Sequence, residues 1–238
     1  MTRPDDDLLD SPVSNAKLDR VLAQLRLSRR DRLLDVGCGS GGLLVRAHEL
    51  CGCAGVGIDK DPEAIRRGKA RVDSVAPDAD IDLHAMEAGE FSPVTPFDAA
   101  ACVGATHVFG GFPGTLLALK GYVRPGGYVL VGDLYWRLDP TDEYLAVLGE
   151  ARENHFNHHG NVMAGIEEGL TPLYTAVSSE DDWDHFEGRF WAKRLRAEPG
   201  ATPDPKLLEK RQRAMRWLNA YLSWGRDTLG FGLYLFQT

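Results

Sequence analysis

Five short apolar runs, separated by stretches of helical periodicity, constrain this chain most. They are residues 32–36, 53–58, 81–85, 98–103 and 128–133. Between them lie helical segments at 42–50, 62–75 and 113–123, the second opened by Asp61-Pro62, a capping acid followed by proline at the first helical position. An earlier helix starts near Ser14, with Leu18, Val21, Leu22 and Leu25 on one face. Short buried strands alternating with such helices build βαβ units and a parallel sheet covered on both faces. Beyond Trp136 the pattern loosens into helices at 142–152 and 162–168, then a strand at 171–179. An aromatic helix at 181–197 comes next, with Trp183, Phe186 and Phe190 read as core packing. A linker at 199–205, a helix at 207–224 and a last strand at 229–236 complete the chain. Residues 1–13 read as a flexible N-terminus, and 14–238 as one domain with 181–225 inserted as a helical cap.

Charge narrows the partners. A formal net charge of −8 opposes non-specific attachment to phosphate backbones or to anionic lipid, so neither nucleic acid nor membrane is expected. Met1–Asp10 carries four aspartates and no apolar core, unlike a secretory signal. Three of the four cysteines (Cys38, Cys53 and Cys102) fall on or beside buried strands, which suits small apolar packing in a reducing, cytoplasmic setting. His155, His158 and His159 cluster, but Asn154, Asn157 and Gly160 around them read as a loop. No metal site is expected there, and contact with the acceptor is the alternative.

The first strand ends in Asp35-Val36-Gly37-Cys38-Gly39-Ser40-Gly41-Gly42. Glycine here removes Cβ atoms where the chain turns from strand to helix, so a ligand can reach bare backbone. The next helix offers its N-terminal N–H groups to a carboxylate. The spacing of Gly37, Gly39 and Gly42 also fits a dinucleotide turn, with Asp59 placed for a ribose, so an NAD-dependent oxidoreductase is a rival. Asp35 separates the two readings: an acid at the strand end faces a pyrophosphate badly and a cationic amine well.

Taken together, these residues resemble the class I S-adenosylmethionine-dependent methyltransferase superfamily, including uncharacterised bacterial members expected to act on small molecules. Asp35 to Gly41 resembles its first motif, and Gly57-Ile58-Asp59 its ribose-binding acid. Met86-Glu87-Ala88 resembles the site beside the adenine, 97–103 the strand under the cofactor, and Arg124-Pro125-Gly126-Gly127 the turn into the fifth strand. The resemblance implies a Rossmann-like, doubly wound, mostly parallel seven-stranded sheet. Its last strand would run antiparallel between the fifth and sixth, with the cap between strands six and seven. It also implies S-adenosyl-L-methionine as cofactor, bound by Asp35, Gly37, Cys38, Gly39, Asp59, Lys60, Glu87, Ala88 and Val103, with Lys60 covering the adenine through its stem.

His107, just past the fourth strand, is the candidate general base, and His107, Tyr135 and Trp136 are the candidate acceptor contacts. The expected reaction is in-line methyl transfer to a small-molecule acceptor. A non-catalytic module binding the same cofactor is the alternative. The sequence leaves the oligomeric state open.

Overall fold

The computed structural model describes residues 8–196 and 204–238. Its seven strands are β1 (Arg32–Val36), β2 (Ala54–Asp59), β3 (Ile81–Ala85), β4 (Phe97–Val103), β5 (Val123–Trp136), β6 (Thr171–Val177) and β7 (Leu229–Gln237). They form one sheet in the order β3-β2-β1-β4-β5-β7-β6. The pairings from β3 through β5 are parallel, and β7 runs antiparallel to both β5 and β6. This is the doubly wound arrangement expected, with the last strand between the fifth and the sixth.

The period of two along each strand sends alternate side chains to two apolar layers. Leu33, Ala99, Ala101, Leu130, Leu233 and Leu235 face one layer. Buried residues of α1 (Asn15–Gln24), α2 (Gly42–Cys51) and α3 (Pro62–Val75) close that side. Leu34, Val36, Ala100, Cys102, Val129 and Val131 face the other, against α4 (Phe112–Tyr122) and α6 (His158–Glu167). Burial on both faces explains why β1, β4 and the middle of β5 read as continuous apolar runs.

The helix expected at 142–152 stops at Leu148, where Gly149 ends it in the left-handed conformation, and three further elements differ from the sequence expectation. β5 extends to Trp136 because β7 pairs with it along its whole outer half, Trp136 opposite Leu229. The helix expected from 162 begins at His158, where the Asn157 side chain caps it by accepting from the Gly160 N–H at 2.8 Å. Residues 8–13 are not loose: Leu8 and Val13 are buried, the Leu8 N–H donates to Asn15 Oδ1, and the Ser178 hydroxyl donates to the Pro12 carbonyl. The rest of the expected flexible N-terminus lies outside the described residues, as do the end of the 181–197 helix and most of the 199–205 linker.

Between β6 and β7 stand α7 (Glu180–Leu195) and α8 (Pro205–Ala220), the latter running into a wide π turn at Tyr221–Gly225. A capping box between Ser179 and Asp182 starts α7. Asp184 ties α7 to the π turn and the residue just past it, accepting from the Tyr221 hydroxyl at 2.7 Å and from Arg226 Nε at 3.1 Å. Among the described residues, no helix is long and apolar enough to cross a membrane.

Candidate active site

The C-terminal ends of β1, β2, β3 and β4 open on a cavity of about 490 Å³. At its centre the chain leaves β1 through Gly37, Gly39 and Gly41, with φ of 73°, 53° and 68°. Two of these positions show why glycine is required. A Cβ on Gly37 would sit 2.3 Å from the Ala105 Cβ, whereas nothing lies within 4 Å of one built on Gly39, whose bare backbone lines the cavity. Gly37→Ala should therefore cost about 2 kcal/mol, from backbone strain and overpacking together. A chemical denaturation midpoint that does not move would contradict this.

Asp59, at the end of β2, braces the turn. Its Oδ2 accepts from the Gly39 N–H at 2.8 Å, and its Oδ1 from the Asp61 N–H at 2.9 Å. Asp35 is 3% exposed, and burial, then the nearby Asp59 charge, pushes its carboxyl up to about 7. Among the described residues, no hydrogen bond counters that rise. A buried acid in this condition calls for a cation. The cavity thus offers an acid for an amine, a glycine turn whose bare backbone admits a ligand closely, and a second acid at the β2 tip, which together fit an amino-acid-bearing nucleoside.

All nine residues expected to bind the cofactor line this cavity: Asp35, Gly37, Cys38, Gly39, Asp59, Lys60, Glu87, Ala88 and Val103. Burial and the neighbouring acids Asp35 and Asp59 push the Cys38 thiol far up, so it serves as packing rather than as a nucleophile. Leu8, Leu9 and Asp10 also line the cavity, as does Arg67 of α3. Neither set announced itself in sequence: the first has no periodicity, and Arg67 sits on an ordinary polar helix face.

A second cavity, of about 400 Å³, lies between the tips of β4 and β5 and the helices α7 and α8. Asp10, Gly104 and His107 line both cavities. Asp133 is buried in the second, accepting from the Thr106 hydroxyl at 2.8 Å and from the Leu134 N–H at 2.7 Å. Trp136 forms part of its wall, fixed by its indole N–H to the Arg152 carbonyl at 2.9 Å.

Tyr135, expected beside Trp136, lines neither of these cavities. Because β5 continues through it, alternation turns it away from Leu134 and Trp136, onto Gly230 and the His158 ring. Trp183 is buried in the apolar core with Phe186 packed against it, as read, and both also line the second cavity, while Phe190 stands outside it against Trp217. The histidines separate. His155 packs edge-on to Trp136 in the cavity wall, and His158 Nδ1 meets the Tyr234 hydroxyl at 3.1 Å. Among the described residues, no group of three or more His, Cys, Asp or Glu is placed to hold a metal ion.

A sheet in this strand order, with a glycine turn and two acids at the tips of its first two strands, defines the class I methyltransferase architecture. The chain belongs to the methyltransferase-domain family, whose model matches residues 13–171. It is 26% identical over 228 residues to an uncharacterized protein of Escherichia coli (strain K12), YjhP, covering 95% of this chain and 92% of that one. A SAM-dependent methyltransferase from Geobacter sulfurreducens, solved with S-adenosyl-L-homocysteine, superimposes with a TM-score of 0.87 at 27% identity, covering 98% of this chain and 94% of that one. Another, from Thiobacillus denitrificans and solved with the same ligand, gives 0.86 at 26% identity, covering 98% and 95%.

Proposed function

We propose that this enzyme transfers the methyl group of S-adenosylmethionine to a small-molecule acceptor held in the second cavity. The wall shared by the two cavities, made of Asp10, Gly104 and His107, carries the reading: it joins a donor site to an acceptor site at one edge of the sheet. The S-adenosyl-L-homocysteine bound by the two structural neighbours supports the choice of cofactor.

When bound, S-adenosylmethionine supplies a methyl group already activated on a positively charged sulfur. The protein's task is then to orient, to exclude water and to manage a proton. Asp35 faces the amine, and Gly37, Cys38 and Gly39, whose N–H groups already donate to the Ile58 carbonyl and to Asp59, border the amino-acid tail with bare backbone. Asp59 holds the ribose, and Glu87 and Ala88 border the adenine, with the Lys60 stem over its face and Val103 beneath. Trp136 walls the acceptor. His107, at the junction, takes the acceptor's proton. The net charge of −8 supports an acceptor other than nucleic acid or an anionic membrane, and the free cysteines support a reducing, cytoplasmic setting.

S-adenosyl-L-homocysteine at 100 times its dissociation constant should stabilise the protein by about 2.7 kcal/mol, visible as a rise in melting temperature, while NAD(H) should not. Stabilisation by NAD(H) alone would reverse the assignment. With an acceptor in hand, His107→Ala should lower kcat about tenfold or more while leaving S-adenosyl-L-homocysteine affinity within about threefold. An unchanged kcat would remove the proton-transfer role.

A further inference from the structure

We propose that the second cavity selects acceptors that carry a protonated amine on an apolar body, with Glu187 of α7 as the anchoring counter-charge. The proposal rests on the methyl-transfer reading above and names its substrate class.

Glu187 is 5% exposed and lies in the wall of the acceptor cavity. Its Oε2 accepts the Trp217 indole N–H at 2.6 Å. That bond fixes the carboxylate's position but leaves its charge unbalanced. Among the described residues lining the cavity there is no lysine or arginine, while Asp10, Asp133 and Glu150 add further acids. Burial accordingly pushes the Glu187 carboxyl upward, against the Trp217 hydrogen bond.

The surroundings of this carboxylate are aromatic. Tyr144, Trp183, Trp217 and Tyr221 line the same cavity. Burial, then the Glu187 charge, pushes the Tyr144 hydroxyl pKa up; burial, then Asp184 and in smaller part Glu187, push up that of Tyr221, which places the acid near these rings. Aromatic rings lining a cavity with one buried acid form an environment that attracts an ammonium, by cation–π contact and by direct ion pairing. A neutral or anionic occupant would leave the acid unpaired at considerable cost.

An independent observation points to a ligand. Trp183 is 5% exposed and Ser11 6%, yet Trp183 Nε1 and Ser11 Oγ are buried with no hydrogen-bond partner, although both residues line this cavity. Both ring nitrogens of His155, in the same wall, are unpartnered as well. Buried polar atoms are normally satisfied, and four of the eight unmatched ones among the described residues belong to this one wall, so an occupant that turns these side chains toward it gains partners there. The cavity divides the work between its ends. Glu187 and the rings of α7 and α8 hold the ammonium, and Gly104, His107 and Asp133 receive the methyl-accepting atom beside the donor cavity.

Calorimetry on the protein saturated with S-adenosyl-L-homocysteine tests this, using 2-phenylethylamine against its neutral counterpart 2-phenylethanol and against phenylacetate. The amine should bind at least about tenfold tighter than the alcohol, and the acid weakest. Glu187→Gln keeps an oxygen for the Trp217 N–H, so the melting temperature and S-adenosyl-L-homocysteine affinity should hold while the preference for the amine collapses to within about twofold. The proposal is overturned if the alcohol or the acid binds as tightly as the amine, if the amine does not bind at all, or if the Gln variant keeps the preference. The first two outcomes need no variant and leave methyl transfer standing. Failure of S-adenosyl-L-homocysteine itself to bind overturns methyl transfer, and the amine assignment with it.

Discussion

Asp59→Ala should weaken binding of S-adenosyl-L-homocysteine by about 100-fold or more. The carboxylate does two jobs. It lines the cavity at the β2 tip, and it accepts from the backbone N–H groups of Gly39 and Asp61 at 2.8 and 2.9 Å. Alanine removes a ligand contact and also frees the glycine turn, whose positive-φ backbone must be held in place for the amino-acid tail to lie against it. The variant should still fold. Its loss of two hydrogen bonds is partly offset, because the Asp59 charge is one of the causes that hold the Asp35 carboxyl up. Isothermal titration would measure the affinity and circular dichroism the fold. An affinity within about threefold of the parent would mean that Asp59 is a turn brace and nothing more.

Asp35→Asn should do two opposite things. In the ligand-free enzyme it should stabilise, and the gain should grow with pH. Asp35 titrates at about 7 in the fold against 3.8 in the unfolded chain, so the folded state holds the proton more tightly. The stability from this group is therefore present in full below about pH 4 and is lost as pH rises through about 7, a loss of order 4 kcal/mol at most. Asparagine does not titrate. Allowing about 1–2 kcal/mol for its poorly satisfied amide, the variant should melt about 4 °C or more above the parent at about pH 8, with little difference near pH 5. S-adenosyl-L-homocysteine affinity should fall about 100-fold at about pH 8, because the buried counter-charge for the amine is gone. A variant that is less stable than the parent at that pH, or that binds as well, would contradict the role. Nature's retention of a destabilising acid is then explained by binding, the usual trade between stability and function.

The legible parts of this protein are those written locally. The glycine turn, Asp35 and Asp59 announce themselves because conformation and chemistry lie within a few residues, and the parallel sheet because strands buried on both faces read as apolar runs. The acceptor cavity is not legible, since its wall is assembled from distant stretches: Ser11 before the first helix, Asp133 on β5, His155 in a loop, and Glu187 and Trp217 on two helices. Trp183 and Phe186 show the ambiguity plainly, because an aromatic stripe has the same spacing whether it faces a core or a cavity. Tyr135 departs from its expected place for a different reason. Which face it takes depends on how far β7 extends β5, and that pairing joins Tyr135 to Gly230, far along the chain.

The stretch from Leu8 to Val13 touches more than its length suggests. The Leu8 carbonyl rests on the first residue of α2, where a Cβ on Gly42 would come within 2.0 Å of it, and Asp10 two residues later belongs to both cavity walls. A peptide so placed is sensed by either occupant. Thermodynamic reciprocity then fixes a symmetry: by whatever factor the nucleoside alters the hold on the acceptor through this stretch, the acceptor must alter the hold on the nucleoside by the same factor.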